Sequence, residues 1–191
     1  RDATPAPAGM LLPLVEVITW RGVCSGTLIA TDRVLTAAHC VCTESLFGGN
    51  ICQPSVSVLF RPNPVTGVRP PEVAGTATHH PSYNPSWTDQ ELENELAVVA
   101  LASPAPTYIT PMDVATQKPS TGADVMVAAF GMTGSGCSGA RGTLNFDIVR
   151  FDRFVDDGRI LQWDDPVTCG GDSGGAITNI AGTVLYAVHS S

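Results

Sequence analysis

"CGGDSGG", residues 169–175, sets Ser173 among four glycines, with Asp172 before it and Cys169 four positions earlier. Glycine adopts positive φ readily and lets other groups approach the main chain, which suits a loop whose N–H groups must meet a substrate. The same residue types also make an ordinary turn. The heptad alone leaves both readings open, a nucleophile loop or a solvent-facing turn, and the rest of the chain must decide between them.

The chain has 191 residues, 43% of them hydrophobic, with a mean hydropathy of +0.15, enough to build a real core. Nineteen glycines, fifteen prolines and short apolar runs broken about every ten residues favour many short strands over long helices. No stretch approaches about eighteen uninterrupted apolar residues, so no membrane-spanning helix is expected. The net charge of −8 and pI near 4.7 argue against nucleic acid or an anionic membrane surface as partner and favour a protein or peptide. Six cysteines, at 24, 40, 42, 52, 137 and 169, lack the paired Cys-x-x-Cys spacing of a zinc site. Disulfides are the expected use, which implies a secreted or periplasmic compartment, and neither a metal nor an organic cofactor is implied.

Along the chain, "LLPLVEVITW" (11–20), "VCSGTLIATDRVLTAAHC" (23–40), "SVSVLF" (55–60) and "GVRPPEVAGTATHH" (67–80) read as strands and turns. An acidic polar stretch then leads into a buried strand over Leu96–Leu101. The breaker-rich "SPAPTYITPMDVATQKPSTG" (103–122) reads as a link between two sub-domains, after which "ADVMVAAFG" (123–131), "LNFDIVRFDRF" (144–154) and "GGAITNIAGTVLYAVHSS" (174–191) resume the strand pattern. The expected division is a processed or pro-segment at 1–12, a first sub-domain at 13–105, a link at 106–122 and a second sub-domain at 123–191.

Of four histidines, His39 ends the apolar stretch "LTAAHC" (35–40). By itself it reads as a structural histidine; joined to Gly-Asp-Ser-Gly and an intervening acid it becomes a candidate general base for Ser173. "LTAAHC" and "GDSGG" together resemble the two signature motifs of the chymotrypsin/trypsin-like serine proteases, in that family's order of histidine, acid, serine. The resemblance runs from about Pro13 onward and is to a secreted bacterial member of the family. It implies an all-β fold of two orthogonal six-stranded antiparallel barrels with the active site in the cleft between them.

The family's acid usually lies in a pattern like Asn-Asp-Ile-Ala-Leu-Leu. Here the matching stretch is "NELAVV" (94–99), which makes Glu95 the expected acid, with Asp89 on the preceding loop as the competing carboxylate. The resemblance further implies Ser173 as nucleophile, His39 as base, and the N–H groups of Gly171 and Ser173 as the oxyanion hole. It pairs Cys24 with Cys40. The family's usual partner for Cys169 has no counterpart here, so Cys137 is assigned to it, and Cys42 and Cys52 remain together. Asp172 is the family's activation switch, normally paired with a new N-terminal amine. "RDAT" does not match the usual start, so either a zymogen-like form or another partner for Asp172 is expected.

Val167 stands where a basic specificity pocket would need an aspartate, which disfavours cleavage after Lys or Arg. Gly170 lies on the expected pocket wall, and "YAVHSS" (186–191) puts His189 at the pocket and Ser190 behind the triad acid. With Thr168, His189 is similar to the pocket of glutamyl endopeptidases, where charge-assisted hydrogen bonds hold a carboxylate. Two specificities stay open, an acidic or a small apolar P1 residue. A separate C-terminal fragment is expected to complete the second barrel after Ser191. The competing function is a pseudoprotease, the fold kept as a binding or regulatory module.

Overall fold

The computed structural model describes residues 4–44, 50–84, 94–133, 137, 139–155, 160–162 and 169–190. Its strands are β1 (Thr4–Pro5), β2 (Leu14–Thr19), β3 (Gly22–Ala30), β4 (Arg33–Thr36), β5 (Cys42–Glu44), β6 (Asn50–Cys52), β7 (Ser55–Leu59), β8 (Val73–His79) and β9 (Ala97–Leu101) in the first half. They continue with β10 (Asp113–Val114), β11 (Asp124–Ala129), β12 (Asn145–Arg150), β13 (Arg153–Val155), β14 (Ile160–Gln162), β15 (Ala176–Thr178) and β16 (Val184–Val188). A one-turn 3-10 helix, Ala38–Cys40, follows β4.

The first half closes into a six-stranded antiparallel barrel in the order β2-β3-β4-β9-β8-β7. The two-residue period of a strand explains which side chains fill it. Val15 and Val17 of β2, Val56 and Val58 of β7, and Ala97, Val99 and Leu101 of β9 point inward, while Val98 between them is exposed. Leu28, Val34 and Phe60 belong to the same core.

The second half differs from the expected antiparallel barrel. It is a six-stranded sheet in the order β1-β12-β11-β15-β16-β10, not closed among the described residues. Its β10–β16 pair is parallel, because the Pro-rich link runs alongside β16 before turning into β11. Thr4–Pro5 pair with Asn145–Phe146, so the amino-terminal segment is an edge strand of this sheet. β11 is buried on both faces, Met126 and Ala128 in a cluster with Leu11, Leu14 and Phe130, and Val125 and Val127 in one with Phe151 and Ile177. Such two-sided burial accounts for the continuous apolar run "VMVAA" where a half-exposed strand would alternate.

Disulfides join Cys24 to Cys40, Cys42 to Cys52 and Cys137 to Cys169. The first ties β3 to the 3-10 turn and the third anchors the segment that carries Ser173. Among the described residues no helix is long and apolar enough to cross a membrane.

Candidate active site

β4 and β9 are antiparallel neighbours in which Thr36 faces Ala97. Three residues beyond Thr36 is His39, and two residues before Ala97 is Glu95, so the register delivers both to the same end of the barrel. The two side chains meet there. Oε1 of Glu95 accepts the main-chain N–H of His39 at 2.7 Å and lies 2.9 Å from its Nδ1. A carboxylate at this distance is an acceptor only, so the neutral imidazole carries its proton on Nδ1 and keeps Nε2 as a base.

Glu95 is buried, and burial by itself would raise the pKa of its carboxyl. The hydrogen bond and positive charge of His39, the Ser190 hydroxyl and the His39 main-chain N–H outweigh that effect and hold it below its ordinary value near 4.5. Ser190 acts on the charge without closing a regular hydrogen bond to Oε2, which is buried with no such partner among the described residues. Arg21, in the β2–β3 turn, donates to the carbonyls of His39 at 3.3 Å and Cys42 at 2.9 Å, bracing the histidine turn from outside.

Ser173 is buried on a loop pressed against β3. Its carbonyl accepts the Ser25 N–H at 2.8 Å and lies 4.0 Å from Sγ of Cys40, the residue after His39. That sulfur is in a disulfide and has no proton to donate, so the contact is one of packing. At Gly174 (φ +83°) a Cβ would stand 2.0 Å from the Ser25 carbonyl oxygen, so only glycine permits the approach. The loop is also tied to the end of β16: Gly174 N–H donates to the His189 carbonyl and His189 N–H to the Gly175 carbonyl, each at 2.8 Å.

Asp172 is fully buried. Its carboxylate accepts the Cys169 N–H at 2.7 Å and the Gly131 N–H at 3.1 Å. Gly171 adopts φ +98°, and its own N–H donates to no acceptor among the described residues. A main-chain N–H without an acceptor, two residues before Ser173, is able to donate to a developing negative charge. Gly170 is exposed beside Met132, His189 is buried, and Ser190 is half-buried. Val167, Thr168 and Asp89 lie outside the described residues.

Among the described residues, two groups of side chains have metal-like proximity, Cys24 with His39 and Cys40, and Cys42 with Cys52 and His79. Each relies on both sulfurs of a disulfide, which offer no thiolate to an ion, so the donor sets do not suit a metal. Sequence reasoning missed Arg21 and Ser25. An arginine in a hairpin turn and a serine within a strand carry no local signal of their contacts.

The family profile described as Trypsin matches residues 4–191. The chain belongs to the trypsin family. Among curated proteins of this family, Chymotrypsin-C of Mus musculus is 33% identical over 105 residues and Chymotrypsin-C of Rattus norvegicus 30% identical over the same length. Each match covers 54% of this chain and 36% of the relative, so the matched region spans about a third of those proteins. Among solved structures, neuropsin, a serine protease expressed in the limbic system of mouse brain, superposes with a TM-score of 0.75 at 20% identity, covering 99% of this chain and 86% of that one. That likeness speaks for the trypsin-family fold.

Proposed function

We propose that the chain is a serine endopeptidase acting through an acyl-enzyme. Ser173 Oγ attacks the peptide carbonyl while Nε2 of His39 takes its proton, and the N–H groups of Gly171 and Ser173 receive the charge on the carbonyl oxygen. His39 then protonates the leaving amine, and water hydrolyses the ester by the reverse proton path. Glu95 holds the imidazole in one tautomer and stabilises the imidazolium. The cleft between the barrel and the second sheet is the proposed substrate site.

The observation that carries this reading is the double engagement of Glu95 Oε1 by His39, which directs the Nδ1 proton toward the carboxylate and makes Nε2 the basic nitrogen of the ring. An extracytoplasmic location is supported by the three disulfides and by membership of the trypsin family. Val167 in place of a pocket aspartate, with His189 and Thr168 as donors, supports an acidic or small apolar P1 residue over a basic one.

Fluorophosphonate labelling tests the reaction class: stoichiometric modification of Ser173, abolished in Ser173→Ala, is expected, and a folded protein that stays unlabelled would mean a binding module instead. Digestion of a peptide library tests specificity. Cleavage concentrated after Lys or Arg would refute the proposed pocket.

A further inference from the structure

Ser25 is fully buried on β3, and all of its polar groups are hydrogen-bonded, its N–H and hydroxyl across the junction of the two halves and its carbonyl within the barrel. Its N–H donates to the Ser173 carbonyl at 2.8 Å, and its carbonyl accepts the Thr36 hydroxyl at 2.7 Å. Its Oγ donates to the Gly171 carbonyl at 2.9 Å and accepts the Phe130 N–H at 2.9 Å. The preceding residue, Cys24, is disulfide-bonded to Cys40 beside His39. Two consecutive residues of one strand therefore hold the histidine turn and the serine loop.

We infer that Ser25 is a positioning residue for the oxyanion site, its hydroxyl fixing the Gly171–Asp172 peptide from the opposite half of the molecule. That peptide lies between the two peptides whose N–H groups, on Gly171 and Ser173, are the proposed oxyanion donors. If its carbonyl rotates, the donors on either side no longer converge. The same hydroxyl holds Phe130, whose neighbour Gly131 donates to Asp172, so one oxygen links both segments that shape the loop. The inference rests on the serine endopeptidase reading for its kinetic consequence but not for its structural one.

Ser25→Ala removes the hydroxyl and leaves the Phe130 N–H and Gly171 carbonyl without it. Thr27→Val is the control. Thr27 lies two residues along the same strand, is equally buried, and its Oγ1 makes no hydrogen bond among the described residues. With a peptide substrate cleaved by the parent, Ser25→Ala is expected to lower kcat about tenfold, a fraction of the ~10²–10³ lost when an oxyanion donor itself is removed. KM should stay within about twofold, since the contact acts on transition-state charge and not on ground-state binding. Amide hydrogen exchange should accelerate in residues 169–175 and stay unchanged in β7 and β8, and Thr27→Val should match the parent in both measurements.

A kcat within about twofold of the parent, or an equal loss in Thr27→Val, would overturn the assignment. Should Ser173 of the parent resist fluorophosphonate, the protease reading fails separately, and exchange at 169–175 alone decides the role of Ser25: unchanged protection refutes it. If Ser25→Ala does not accumulate as folded protein, Ser25→Cys keeps a weaker donor at the same position, and the same pattern at smaller amplitude is expected.

Discussion

One carboxylate oxygen of Glu95 receives two donors from the same residue, the main-chain N–H of His39 at 2.7 Å and its ring Nδ1 at 2.9 Å. The first contact fixes where the histidine turn sits relative to the strand end and the second fixes which way the ring faces. The carboxylate thereby governs both position and tautomer.

Glu95→Gln should therefore lower kcat by about 10³–10⁴ while the protein still folds, because an amide can present an N–H toward Nδ1 and favour the wrong tautomer. Glu95→Asp keeps the charge but withdraws it by one methylene, too short to hold both donors without movement of the turn. A smaller loss, about 10–10²-fold, is expected, since general-base catalysis as a whole contributes about 10²–10⁴. Steady-state kinetics beside thermal melts of both variants check the order. An activity of Glu95→Gln equal to the parent would show that the carboxylate does not orient the base.

The same contacts make a statement about pH. Burial opposes ionisation of Glu95, but the His39 and Ser190 contacts prevail and its folded pKa lies below the ordinary value near 4.5. A carboxyl depressed in the folded state binds its proton less readily there than in the unfolded chain. Its contribution to stability is thus complete above about pH 4.5–5 and is lost as pH falls through the lower folded value. The melting temperature of the parent should drop across that acidic window. Glu95→Gln should lose part of that dependence, and identical profiles for the two proteins would show that Glu95 is not a linked group.

Which parts of this site are legible in the amino-acid sequence depends on whether their contacts are local. "LTAAHC" and "GDSGG" are contiguous because a histidine turn and a nucleophile loop are each built from adjacent residues, and "NELAVV" marks a carboxylate by its place before a buried strand. The contacts that hold these pieces together join distant residues. Ser25 to Gly171, Asp172 to Gly131 and Arg21 to His39 depend on how strands pack, and a serine, aspartate or arginine in those positions looks ordinary. The same limit applies to the second sheet. Two-residue strands such as Thr4–Pro5 and Asp113–Val114 are too short to show any periodicity, and the Pro-rich link conceals a parallel pairing.

Thr27 offers a stability test that leaves the chemistry alone. Its hydroxyl is buried with no hydrogen bond among the described residues, and valine has nearly the same shape. Removing an unsatisfied polar group relieves its desolvation cost, so Thr27→Val should gain about 1 kcal/mol. For a chain of this length that corresponds to a melting temperature higher by about 2–4 °C. A loss of stability instead would show that the hydroxyl is satisfied in solution, for instance by a buried water.

Gly131 is the position at which the Asp172 arrangement can be broken with least chemical change. A Cβ there would lie 2.3 Å from Asp172 Oδ1 and 2.7 Å from its N, both well inside contact distance; the first atom is in a buried carboxylate held by two main-chain donors and the second is main chain. Gly131→Ala must therefore push Asp172 away from the Gly131 N–H, leaving a buried donor and carboxylate oxygen without each other. The penalty should be about 2–3 kcal/mol in stability, from the stranded polar pair. Because Asp172 lies between Gly171 and Ser173, the same shift should misplace the oxyanion donors and lower kcat by about 10² or more. Asp172→Asn should act in the same direction, since one of its two backbone donors would then face an amide N–H. Fluorophosphonate labelling rates and urea titrations measured on the same samples separate the two effects: slowed labelling of protein that is still folded locates the damage in the oxyanion loop. Labelling at the parent rate in folded Gly131→Ala would show that the loop holds its shape without the Gly131 contact.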